Sequence, residues 1–62
     1  MDKADVQFET RINGVRYLFC GWEAVDFWIF EAYLNARFVN QSRDALEENA
    51  ILKLVKLLES EN

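Results

Sequence analysis

The chain has 62 residues, a net charge of −4, one cysteine and no histidine. A chain this short buries only about 60% of the surface its unfolded form exposes, so it draws on extra sources of stability. An internal disulfide is excluded by the single cysteine, and the commonest metal ligand is missing, which leaves oligomerisation or a partner as the expected support. Nine aromatics and a 52% hydrophobic composition are too rich for a disordered segment.

Met1 to Asp5 reads as a short polar lead. Asn13-Gly14 then lies between two alternating runs. A two-residue primed turn needs φ > 0 at both central positions, and Asn-Gly supplies that most cheaply. The turn sets a register in which Ile12 faces Val15, Thr10 faces Tyr17, Phe8 faces Phe19 and Val6 faces Gly21. Gln7, Glu9, Arg11, Arg16, Leu18 and Cys20 occupy the other face, so turn chemistry and hydrophobic pattern agree on a hairpin over 6–20.

Gly21 is expected to mark a strand-to-helix junction. Helix 1 is predicted over 22–39, with Glu23 and Asp26 near its positive end. At about 100° per residue, Trp22, Val25, Trp28, Ile29, Ala32, Tyr33, Ala36 and Val39 make one apolar face. Phe27, Phe30, Leu34 and Phe38 make a second stripe, the candidate self-association surface. Asn40-Gln41-Ser42 reads as the connection to helix 2, predicted over 43–59 and capped by Ser42 or by Asp44 in a variant capping box with Glu47. Ala50, Ile51, Leu54, Val55, Leu57 and Leu58 form its apolar face, and Leu52 lies off the stripe. The expected fold is therefore α+β over residues 1–62: an N-terminal β-hairpin followed by two α-helices, completed by dimerisation.

The chemistry-bearing residues are few. Without histidine no Ser-His or Cys-His pair exists, and the two glycines, in a turn and a junction, make no phosphate-cradling loop. No catalytic residue, metal site or cofactor is expected. Nothing near Cys20 in sequence lowers its pKa. Arg11 and Arg16 are predicted directly opposite each other near the hairpin tip, where like charges are unfavourable. They are the candidate grip on a partner's carboxylate or phosphate, with Glu9 diagonal as the compensating charge.

Residues 1–21 are neutral, while 22–40 and 41–62 each carry −2. Acidic proteins disfavour direct binding to nucleic acid or an anionic membrane and favour basic partners. No apolar run is long enough for a membrane span, and no basic leader precedes one, so a cytoplasmic location is expected. The functional expectation is a small non-enzymatic protein-binding module. It would act as a homodimer and regulate or inhibit a larger protein stoichiometrically, a profile shared with small proteins encoded by phages. Two alternatives are a structural oligomerisation domain and an acidic nucleic-acid mimic using Glu23, Asp26, Glu31, Glu47, Glu48, Glu59 and Glu61.

Overall fold

A computed structural model describes residues 3–61. Four strands, β1 (Val6–Ile12), β2 (Val15–Glu23), β3 (Trp28–Leu34) and β4 (Arg37–Asp44), precede a single helix, α1 (Glu47–Ser60). The strands form one antiparallel sheet in the order β1-β2-β3-β4. The first hairpin has the register set by its turn: Val6 pairs with Gly21, Phe8 with Phe19, Thr10 with Tyr17 and Ile12 with Val15.

The expected hairpin-plus-two-helices fold is overturned, because residues 22–39 contain no helix. They finish β2, form all of β3 and begin β4. The predicted connection Asn40-Gln41-Ser42 belongs to β4 as well. The physical reason lies in the composition of the segment. Trp, Phe, Ile, Tyr and Val suit a pleated surface, and a segment apolar all round a helix is equally one that is apolar on both faces of a strand. The larger core such a helix would require is absent from so short a chain; a strand divides the same side chains between two faces.

Asn35 and Ala36, at φ 52° and 67°, turn the chain between β3 and β4 just as Asn13 and Gly14, at 52° and 80°, turn it between β1 and β2. Gly21 is no junction but sits inside β2. A Cβ there would lie 2.5 Å from ring atoms of Phe30, its pairing partner on β3, so a bare backbone is what admits the Phe30 ring.

The helix covers one face of the sheet, lying chiefly over β3 and β4. Phe19, Phe30, Ala32, Ala50, Leu54 and Leu58 are fully buried between the layers, with Ile12 and Tyr17 nearly so. Each large side chain buried in this way contributes about 1.5–3 kcal/mol. Phe8 packs its ring 5.3 Å from that of Phe19, and Trp28 stacks 5.9 Å from Phe30. The helix therefore reads largely as its periodicity predicts, with Leu52 exposed, although Leu57 is also 41% exposed.

Its start is corrected from 43 to Glu47, because Arg43 and Asp44 continue β4. Leu46 is the N-cap and makes no side-chain capping bond. Asp44 serves the junction instead: its Oδ2 accepts the Leu46 N–H at 3.0 Å. Polar contacts then tie α1 and its C-cap residue Glu61 to β4. Lys53 Nζ meets Asp44 Oδ1 at 2.8 Å, the buried Ser42 hydroxyl donates to the Ala50 carbonyl, and Asn40 Nδ2 donates to Glu61 Oε2 at 2.9 Å. Asn40 gains its position from a register shift opposite Ala32 and Tyr33, where Val39 is the extra residue and packs into the core.

Candidate protein-docking surface

Among the described residues, no strand or helix covers the second face of the sheet. Period-two alternation places Leu18, Cys20 and Trp22 of β2 and Ile29, Glu31 and Tyr33 of β3 along the centre of that face. The strand register assembles them into rows: Leu18 beside Tyr33 and Phe38, Cys20 beside Glu31 and Gln41, Trp22 beside Ile29 and Arg43. Gln7, Glu9 and Arg11 of β1 border one side. An apolar centre with a polar margin is the usual anatomy of a protein–protein interface.

Phe38 is 54% exposed and stands edge-on to Tyr33, ring centroids 6.0 Å apart. Leu18, Trp22, Ile29 and Tyr33 are half-buried. A shallow depression of about 370 Å³ lies among Lys3, Gln7, Leu18, Cys20, Trp22 and Tyr33.

One charge occupies the centre. The Tyr33 hydroxyl donates to Glu31 Oε1 at 2.6 Å. That bond, reinforced by burial and the carboxylate's charge, pushes the Tyr33 pKa up to about 12. Cys20, across the strand from Glu31, is buried, and its thiol pKa is raised by burial first and by Glu31 second. A thiol held protonated is the reverse of an activated nucleophile. Among the described residues, no group of three or more Cys, Asp or Glu side chains could hold a metal ion.

The sequence-derived candidates are distributed unevenly. Arg11 and Arg16 pair directly, exposed at the end of the open face, with Glu9 beside them. The supposed helical stripe of Phe27, Phe30, Leu34 and Phe38 does not exist. Phe30 is fully buried and Leu34 packs against the same core, while Phe27 lies under the Arg43 guanidinium, 5.6 Å from ring centroid to charge. Of the four, Phe38 is the exposed one, and it stands on the open face.

The acidic set is also divided. Glu23, Asp26, Glu47 and Glu48 gather at the end of the molecule where β2 turns into β3 and α1 begins. Glu31 sits on the open face, and Glu59 and Glu61 lie at the far end of α1. A helix of 14 residues is about 21 Å long, so these groups form no continuous acidic surface.

Leu18, Trp22, Ile29 and Tyr33 were not singled out as a site by sequence reasoning. The available signal was β-propensity: the run from Trp28 to Leu34 contains four aromatic or β-branched residues in its first six positions and ends at an Asn-led turn.

No family model matches the chain, and neither a curated protein nor a solved structure does.

Proposed function

We propose that this protein is a non-enzymatic protein-binding module, working as a homodimer in the cytoplasm, that regulates or inhibits a larger protein by occupying part of its surface. The open sheet face is the docking surface. The observation that carries this reading is Phe38, half exposed and braced edge-on by Tyr33 in a row with Leu18, on a face that α1 does not cover. Large aromatics held in place by neighbours are the residues that dominate interface energies, because little side-chain freedom is lost when they bind.

Glu31 specifies the partner further. A carboxylate at the centre of an apolar face is costly to desolvate unless a cation meets it. The fitting partner thus presents an apolar patch bearing one Arg or Lys, which agrees with the net charge of −4.

The test is site-specific photo-crosslinking in a lysate of the native source, from a probe at position 38 and from a control probe at Leu52, which is 56% exposed on the helix. One protein should be captured from position 38 and not from 52, and Glu31→Lys should abolish its capture. Equal capture from both positions, or indifference to Glu31→Lys, overturns the reading.

A further inference from the structure

We infer that the free edge of β1 is the seam of a symmetric dimer, in which β1 of a second copy adds antiparallel and makes one eight-stranded sheet. The inference deepens the homodimer of the proposed function and leaves docking on the open face to stand or fall separately.

The direction of the backbone groups decides which of them are left free on β1. A two-residue primed turn makes its flanking residues, Ile12 and Val15, a hydrogen-bonded pair. Alternation then turns the N–H and C=O groups of Phe8, Thr10 and Ile12 toward β2, and those of Gln7, Glu9 and Arg11 outward.

The sheet's other edge shows what protection looks like. On β4, the Gln41 N–H is taken by the Asn40 side chain at 2.8 Å, and the Arg43 carbonyl is taken by Lys53 Nζ at 3.1 Å. The register shift near Val39 interrupts that edge further. Such devices block pairing with another chain. Among the described residues, no side chain reaches back to the outward groups of β1, and Val6–Ile12 contains no Pro, Gly, Lys or bulge. One edge is closed and the other is open.

Charge identifies the occupant as a second copy. All of the net −4 lies beyond residue 21, and β1 itself, with one glutamate and one arginine, is neutral, so two copies meet along it without net repulsion. A two-fold axis through Thr10 places Glu9 opposite Arg11 of the second copy, and Arg11 opposite Glu9 of the second copy. Phe8 meets Ile12 on the other face, apolar against apolar. The same pairing answers the unfavourable Arg11–Arg16 contact within one chain, because Arg11 gains a carboxylate on its open side.

Sedimentation equilibrium at about 100 µM tests the seam. The wild type should run at twice the 7.3 kDa chain mass. Glu9→Pro should run at the single-chain mass with an unchanged circular dichroism spectrum, because the lost N–H points outward and β1–β2 pairing keeps its bonds. Arg11→Glu should weaken self-association at least tenfold, and combining it with Glu9→Arg should restore it. A wild type that stays at the single-chain mass overturns the seam, as does a folded Glu9→Pro dimer or a charge swap without rescue. None of these outcomes bears on crosslinking from position 38.

Discussion

The two tight turns of the sheet follow nearly the same backbone path with different residues at the second position. Asn13-Gly14 places glycine at φ 80°, and Asn35-Ala36 places alanine at φ 67°. The left-handed region is free to glycine and costs an L-residue about 1–2 kcal/mol. The first hairpin is therefore held by local chemistry and the second is held against it. Core residues supply the difference, since β3 buries Phe30 and Ala32 completely and β4 is tied to α1 through Asn40, Ser42 and Asp44. A turn can be specified by its own residues or imposed by what its strands bury.

The largest effect should come from removing what imposes the second turn. Phe30→Ala should cost about 3–5 kcal/mol in chemical denaturation, because the ring is fully buried and Gly21 offers no side chain to fill the space. A loss below about 1 kcal/mol would mean that the β3–β4 hairpin does not depend on the core.

Next in size is Gly14→Val, expected to cost about 2 kcal/mol. No atom lies within 4 Å of a Cβ at that position, so the cost is one of backbone conformation and not of collision.

Exchanging the second residues gives a sharper comparison. Gly14→Ala should destabilise, and Ala36→Gly stabilise, by about 0.5–1 kcal/mol each, the backbone penalty being partly offset by unfolded-chain entropy. The double variant should unfold at the wild-type denaturant midpoint. A stabilising Gly14→Ala, or an Ala36→Gly without gain, would show that the two turns are not equivalent.

The smallest effect concerns the helix tie beside β4. The Leu46 N–H, and after it Lys53, hold the Asp44 carboxyl below the usual carboxylate range. A lowered native pKa contributes stability that is present above the unfolded value of 3.8 and disappears as pH falls through the native one. Asp44→Asn should therefore lower stability near neutrality and flatten the acid limb, the two stability–pH curves converging once pH falls below the native Asp44 value. The first hairpin, which lacks this tie, should show no matching loss from Asn13→Ala on that limb.

The same contrast governs what the sequence discloses. The register of the first hairpin was legible because an Asn-Gly turn and a clean alternation agree, although β2 runs on to Glu23, past its expected end at Cys20. The second was hidden twice over. Alanine gives no hint of positive φ, and Trp28 to Leu34 lacks alternation because both faces are occupied by apolar groups: Phe30 and Ala32 inward, Ile29 and Tyr33 outward. At helical spacing those residues fit a stripe as readily as a strand. The helix α1 was legible from Ala50, Leu54 and Leu58, but its start was not, since Asp44 serves Leu46 from the end of a strand and only resembles a cap in sequence. Of the docking surface, Phe38 was visible as a spare aromatic. Its companions Leu18, Trp22, Ile29 and Tyr33 join it only once the register of three hairpins is known.

Placing the cover of the core after the sheet it covers has a consequence for how the chain is made. Synthesis runs from the N-terminus, so all four strands leave the ribosome before Ala50, Leu54 and Leu58 do. Each strand pairs with its sequence neighbour, and such local pairing forms early. For that interval a nascent sheet displays Phe19, Phe30 and Ala32 on one side and Trp22, Ile29 and Tyr33 on the other. Until the helix docks, both faces are open to a chaperone or to another unfolded chain; afterwards only the second face is.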